Sequence, residues 1–317
     1  MVDTILDRGV LLGYGKVGLQ VRQRLPGWPA DAPRLDGAVV LITGAGSGLG
    51  FAASAGYAAL GASVRMLGRD PRRTARAIDE IRARVPGADV TPELCDLSDR
   101  ADVRRFVREF TGRERRLDVL VNNAGVMPGQ RRHTEDGIEL TFATNVLAPW
   151  MLIEGLRPLL EAAAPSRVIN VSSGGQYGQS IPAGDVESEQ ARYGPATVYA
   201  RTKRELLVLT EHWAERLRGS GVFVHAMHPG WADTAGVRTS MPVFHTATRW
   251  ILRTPEQGAD TIVWLGGAEA ALQSSGQFWH DRRTRPRTHP IGASDDSPAT
   301  RDELLRHLEQ LAVAPAS

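Results

Sequence analysis

The sequence predicts an α/β fold in which a doubly wound parallel sheet forms one domain, preceded by a helical extension and followed by a tail. Two observations predict it. From residue 38 onward, short apolar runs alternate with longer helical patterns, and the first run opens directly into a glycine-rich turn. Runs that are apolar at every position suit strands covered on both faces, the condition of a parallel sheet between helical layers. Ligands of such folds sit beyond the carboxyl ends of the strands.

Strands are expected at 39–42, 63–67, 117–121, 167–171 and 222–226, with a less apolar one at 89–94. Helices are expected between them at 48–60, 71–85, 99–110, 137–160 and 197–217. Residues 1–36 form a separate unit, in which Leu6, Val10, Tyr14, Val17, Val21 and Leu25 recur at the steps of an amphipathic helix. Gly9, Gly13, Gly15 and Gly18 oppose it, each costing up to about 1 kcal/mol in a helix interior. This extension either packs on the main body or meets a membrane surface or a second subunit. Pro26, Pro29 and Pro33 then form a linker into the domain at 37–281, and 282–317 is the tail, a loop to 297 with a short helix at 302–311.

Composition narrows the class. A chain of 317 residues with 42% apolar and 23% charged residues is an ordinary globular protein with ample core. The single cysteine, Cys95, excludes an internal disulfide and suits a reducing compartment. A net charge of +2 gives no footprint for nucleic acid. No run approaches the roughly 18 apolar residues of a membrane span, and Asp3, Asp7 and Arg8 interrupt any leader-like run. A cytoplasmic protein is expected.

Two segments are rich in glycine. Gly13-Tyr14-Gly15-Lys16-Val17-Gly18 has the spacing G-x-G-x-x-G but lacks the preceding buried strand that a phosphate-cradling turn needs. Thr43-Gly44-Ala45-Gly46-Ser47-Gly48-Leu49-Gly50 has that strand and opens a helix. Its glycines let backbone approach a pyrophosphate, and the helix N-terminus offers N–H donors. At the end of the second strand, Gly68 stands where a carboxylate would hold a ribose 2′-hydroxyl, and Arg69 follows. The guanidinium fork of Arg69 suits a 2′-phosphate. Asp70 either serves the hydroxyl or caps the next helix, with Pro71 at its first position. NADP(H) is therefore the expected cofactor, with NAD(H) the alternative.

Tyr199 and Lys203 stand four residues apart, one above the other on a helix face. A free phenol titrates near 10, and a neighbouring cation lowers that value toward the range of general acid–base work. Of the 38 Lys and Arg residues only Lys16 and Lys203 are lysine, so the position is not a product of abundance. Upstream stand a strand ending in Ser172-Ser173, the group Asn122-Asn123-Ala124-Gly125 and Asn145; downstream stand Pro229-Gly230 and Thr234.

In this order the motifs resemble the short-chain dehydrogenase/reductase family over roughly residues 36–280. The stretches 171–175, 228–234 and 257–261 look similar to one branch, the member 12 group. The resemblance implies a Rossmann fold and hydride transfer between nicotinamide and a carbonyl or secondary alcohol. It implies Tyr199 as acid/base, Lys203 as its tuner and ribose ligand, Ser173 rather than Ser172 on the substrate oxygen, and Asn145 on a linking water. It further implies Asp96 and Leu97 beside the adenine, Asn123, Ala124 and Gly125 along the adenosine side, Pro229, Gly230 and Thr234 at the nicotinamide, and Trp231 on the substrate side.

Ser173 and Tyr199 are 26 positions apart, and the insertion holding Tyr177, Ile181, Pro182, Asp185, Glu187 and Glu189 is expected to wall the substrate pocket. Val237, Met241, Val243, Phe244, Trp250, Ile251 and Leu252 either pack in the core or line a lid over a lipophilic substrate. The arginines at 282, 283, 285 and 287 read as solvated surface, with an anionic substrate tail or membrane as the alternative. His225, His228 and His280 lack metal-ligand spacing and read as structural. The expected partners are a small molecule, a membrane surface touched by the extension, and further copies of the chain. A cofactor-binding interaction protein with little turnover is the alternative function.

Overall fold

The computed structural model describes residues 2–9, 13–190, 192–234, 238, 245, 246, 248–290 and 292–314. Two helices, α1 (Val2–Arg8) and α2 (Lys16–Arg24), precede the sheet. The chain continues through β1 (Val39–Thr43), α3 (Gly48–Ala59), β2 (Ser63–Gly68), α4 (Pro71–Arg84), β3 (Val90–Leu94), α5 (Arg100–Arg113) and β4 (Val119–Asn122). Then come α6 (Ala148–Ala162), β5 (Ser166–Val171), α7 (Pro195–Arg216), β6 (Val222–Met227), α8 (Pro255–Gly267), β7 (Phe278–His280), β8 (Arg283–Arg285) and α9 (Pro298–Val313).

The strands form one sheet in the order β3-β2-β1-β4-β5-β6-β7-β8. Neighbours run parallel except β7 and β8, which form an antiparallel hairpin. Strand order turns back between β1 and β4, which opens the crevice where such folds bind their ligands.

Alternation along each strand divides the core in two. Leu41, Leu120 and Val168 face Phe106, Leu156, Leu206 and Trp213 on one side of the sheet. Val40, Ile42, Val121 and Ile169 face Tyr57, Ile78, Ile262 and Leu265 on the other. All these side chains are essentially excluded from solvent, which is why the strands read as unbroken apolar runs.

Four expectations need correction. The helix expected at 137–160 is a short turn (Leu140–Phe142), a π-helical turn (Ala143–Leu147) and then α6. The loop expected at 282–297 contains β8, because Arg283–Arg285 pairs with β7 across the boundary drawn at 281. Its arginines are no solvated surface: Arg282 pairs with Asp260 at 2.7 Å, Arg285 with Asp3 at 2.9 Å and Arg287 with Glu211 at 2.6 Å. The extension is not one helix, since a Cβ on Gly13 would fall 1.7 Å from the Leu6 carbonyl oxygen. Tyr14, Leu19 and Arg22 of the extension are buried against the body, while Val2, Ile5 and Val17 stay exposed.

Of the apolar segment expected as a lid, Val237, Met241, Val243 and Phe244 lie outside the described residues, as does Val10 of the extension. Ile251 and Leu252 are core, and Trp250 is 65% exposed.

Candidate active site

The glycine turn after β1 is shaped for close approach. Gly44 and Gly48 have φ of +66° and +56°, where a side chain is strained. A Cβ on Gly50 would lie 2.4 Å from the Gly44 carbonyl oxygen. Ser47 holds the N-cap position of α3 with no cap hydrogen bond from its side chain, so its exposed hydroxyl faces the same space as the first N–H groups of the helix. Beside this turn a cleft of about 600 Å³ is lined by Gly46, Ser47, Gly48, Phe51, Arg72, Arg73 and Arg76 among others. The residues fit a dinucleotide phosphate: backbone donors, room where Cβ atoms would be, and cations around them.

Arg69 is exposed and does not line this cleft. Asp70 caps α4, its Oδ1 accepting from Arg72 N at 3.0 Å and Arg73 N at 3.1 Å, while the residue also lines the cleft. Arg73, which sequence reasoning did not single out, lies across the turn, with its Cγ 3.2 Å from a Cβ placed on Gly46. The arginine pair after Asp70-Pro71 was its signal, because Pro at the first helical position puts Arg73 one turn into α4.

Other expected cofactor residues brace the site. The Thr43 hydroxyl is buried and accepts from the Asn123 and Ala124 N–H groups, each at 2.9 Å. Asn123 in turn donates to the Thr43 carbonyl at 2.8 Å. These bonds tie the ends of β1 and β4 together. Asp96 accepts from Ser98 at the end of β3, and the Leu97 side chain packs into the core, leaving only its main chain for an adenine. Thr234 closes over the turn, 3.4 Å from a Cβ placed on Gly48. Leu49, Pro229 and Ala232 meet at Gly258 of α8, which couples the turn to the loop after β6.

The acid–base group converges on Gly125. A Cβ there would lie 3.3 Å from Lys203 Nζ and 3.5 Å from Asn145 Oδ1. Asn145 sits in the π-helical turn, accepts from Val126 N at 2.8 Å and donates to the Val126 carbonyl and the Thr202 hydroxyl, each at 3.1 Å. A π-turn inserts one residue into the helix and re-aims a side chain, a device frequent at functional sites. Lys203 is buried, donates to the Val171 carbonyl at 2.9 Å, and holds its Nζ 5.5 Å from the Tyr199 ring centroid.

The two serines ending β5 divide as the pleat requires. Ser172 is buried, its hydroxyl donating to the Lys203 carbonyl at 2.8 Å. Ser173 points the other way and accepts from Gly175 N at 3.2 Å. A Cβ on Gly175 would touch both Ser173 Oγ and Ala200 of α7, so the serine turn abuts the residue next to Tyr199.

The expected tuning of the phenol is not expressed by these side chains alone. Burial pushes the Tyr199 phenol up to about 12 and the Lys203 ammonium down to about 8. The lysine spends a donor on Val171 rather than on the phenol, so desolvation dominates for both groups.

The insertion after Ser173 is clamped by the tail. Arg204, fully buried beside Lys203, donates to Gln176 Oε1 at 3.0 Å, to Asp296 at 2.6 Å and to the Arg287 carbonyl at 2.7 Å. Asp296 accepts from Ile181 N at 2.9 Å, and Glu187 pairs with His307 of α9 at 2.6 Å. Sequence reasoning missed this clamp because its partners lie about a hundred positions apart. His228 and His280 stack at 3.8 Å between ring centroids, and His225 meets the Ala271 carbonyl at 2.8 Å.

Comparison with known proteins agrees with this fold. A profile of the family described as short chain dehydrogenase matches residues 38–242. The human protein named dehydrogenase/reductase SDR family member 12 is 41% identical over 280 residues, which cover 88% of this chain and 87% of that protein. Human retinol dehydrogenase 14 is 35% identical over 275 residues, 79% of this chain and 80% of that protein. Among solved structures, RhlG of Pseudomonas aeruginosa, in complex with NADP, superimposes with a TM-score of 0.64 at 25% identity, covering 83% of this chain and 98% of that one. The chain thus belongs to the short-chain dehydrogenase family and is an NAD(P)-dependent oxidoreductase.

Proposed function

We propose that this protein is an NADP(H)-preferring dehydrogenase/reductase of lipophilic carbonyls and secondary alcohols, with Tyr199 as its acid/base. The convergence of Lys203 and Asn145 on Gly125, with Tyr199 one helical turn before Lys203 and Ala200 against the Ser173–Gly175 turn, carries the reading. Bound nicotinamide supplies or takes the hydride. In the reductive direction Ser173 donates a hydrogen bond to the substrate oxygen, which holds the carbonyl and favours negative charge on it. Tyr199 gives that oxygen its phenolic proton, and in the oxidative direction takes it back. Lys203 supplies the positive charge that favours the phenolate, offsetting the burial that otherwise keeps the phenol protonated. Asn145 fixes the end of β4 against α7, where a water bonded to it joins Lys203 to solvent.

NADP preference is supported by Arg72, Arg73 and Arg76 lining the cleft at the glycine turn, and by the hydrogen bonds that Asp70 Oδ1 accepts as helix cap. Relatives named retinol dehydrogenase support a lipophilic substrate. Fluorescence titration with NADPH and NADH tests the first point. NADPH should bind about 10- to 100-fold more tightly, the equivalent of a charge-assisted contact, and Arg73→Ala should remove most of that margin. Equal or tighter NADH binding would overturn the preference. Turnover of long-chain aldehydes and ketones, with little of short charged ones, is expected in the same preparation.

A further inference from the structure

Gly13-Tyr14-Gly15 has no role in the phosphate site, yet it lies against both loops that form the substrate side of the proposed reaction. The Tyr14 carbonyl accepts from Trp231 N at 2.8 Å. A Cβ on Gly230 would lie 2.5 Å from that carbonyl oxygen, and Gly230 adopts φ +72° there. On the other side, a Cβ on Gly174 would lie 3.0 Å from Tyr14 Cε2. The ring also meets His228, His280 and Trp231 edge-on, at 4.6, 5.1 and 6.4 Å between centroids. Ser173 therefore stands one residue from a glycine fitted to Tyr14, and Trp231 one residue from another.

The segment is held on both flanks. Arg22 donates to the Gly13 carbonyl at 2.6 Å and Arg253 to the Gly15 carbonyl at 3.3 Å, and both guanidinium groups meet Asp281 in the buried interior. Lys16 N donates to the Ile251 carbonyl at 2.8 Å. Tyr14 is 1% exposed, so it does not touch substrate itself. What it does touch is the backbone next to two residues that would.

We infer that Tyr14 is a positioning residue of the active site: its ring and carbonyl set the Ser173–Gly174 turn and Trp231, so that the extension completes the substrate side of a site otherwise built by the doubly wound domain. The inference rests on the reaction proposed above. Its rival is simple filling of a core position, and Leu19 on α2, equally buried but not among the atoms nearest either loop's glycine, supplies the control.

The test uses the full-length chain as wild type, Tyr14→Ala, Tyr14→Phe and Leu19→Ala, assayed well below every melting temperature. Tyr14→Ala should lower kcat/KM for the carbonyl about 10- to 100-fold, the scale of a small misplacement of reacting groups, with NADPH affinity unchanged within about twofold. Tyr14→Phe, which keeps the ring, should retain wild-type kinetics. Leu19→Ala should lower the melting temperature without moving kcat/KM. Backbone hydrogen exchange of peptides spanning 172–177 and 229–233 gives a readout independent of turnover: it should quicken in Tyr14→Ala and not in Leu19→Ala. Unchanged exchange in Tyr14→Ala, or equal kinetic losses in Tyr14→Ala and Leu19→Ala, would overturn the inference. Absence of carbonyl turnover in the wild type would sink the proposed reaction and leave the exchange result to decide on Tyr14.

Discussion

Glu205 stands two residues past Lys203 on α7, is fully buried, and has no hydrogen-bond partner among the described residues on either carboxylate oxygen. Burial raises its pKa well above the usual carboxylate range, and Glu139, Glu187 and Asp296 push the same way against Arg201. The folded state thus holds this proton longer than the unfolded chain does. The site costs least below the ordinary glutamate value, and stability falls as pH rises through the folded one. Glu205→Leu should therefore stabilise the protein by about 1–3 kcal/mol at neutral pH, the cost of an unmet buried polar group, and flatten that decline. Denaturant titrations across the pH range would show it; a variant less stable than wild type at neutral pH would mean that the carboxylate is satisfied. Strand alternation made it legible that only one of Ser172 and Ser173 faces the site, and the family resemblance pointed to Ser173. Glu205 was not legible, because a helix surface reads as solvated until the residues that cover it are known.

At the scale of elements, the β7–β8 hairpin turns on Asp281 and Arg282, both with positive φ, at 51° and 56°. A two-residue turn of this kind is matched to the twist of a hairpin but usually takes Asn or Gly. Here the strain is held by ion pairs. Burial alone would raise the Asp281 carboxyl, but His280, Arg253 and Arg22 beside it hold it far below the usual range. Removing the carboxylate leaves two buried guanidinium groups short of a partner, so Asp281→Ala should cost about 3–5 kcal/mol by chemical denaturation. The gap should narrow as pH falls below the ordinary aspartate value, because a depressed pKa stabilises only above it. A loss under about 1 kcal/mol would show that the extension and hairpin stand without the pair. The sequence could not announce this cluster. Asp3, Arg22, Arg253 and Asp281 are dispersed along the chain, and only the fold collects them.

For the molecule as a whole, the sheet was legible because burial on both faces leaves no polar alternation in its strands. The glycine turn, the Asn122–Gly125 group, the serine pair and Pro229-Gly230 were legible because each sits at a strand end, and Tyr199 and Lys203 by their helical spacing. Distance in sequence hid the rest: the edge hairpin, the tail clamped on the insertion through Arg204 and Asp296, and the extension wedged beside Ser173. Tyr199 stands on α7 one turn before Lys203, with the lysine Nζ 5.5 Å from its ring centroid. Hydride transfer measured in a single turnover, with wild type and Tyr199→Phe each saturated with NADPH and offered the same aldehyde, tests its role most directly. NADPH should bind both alike, and the transfer rate should fall about 10²- to 10⁴-fold in the variant, the range of a lost general acid. Equal rates would contradict the assignment of the proton to Tyr199.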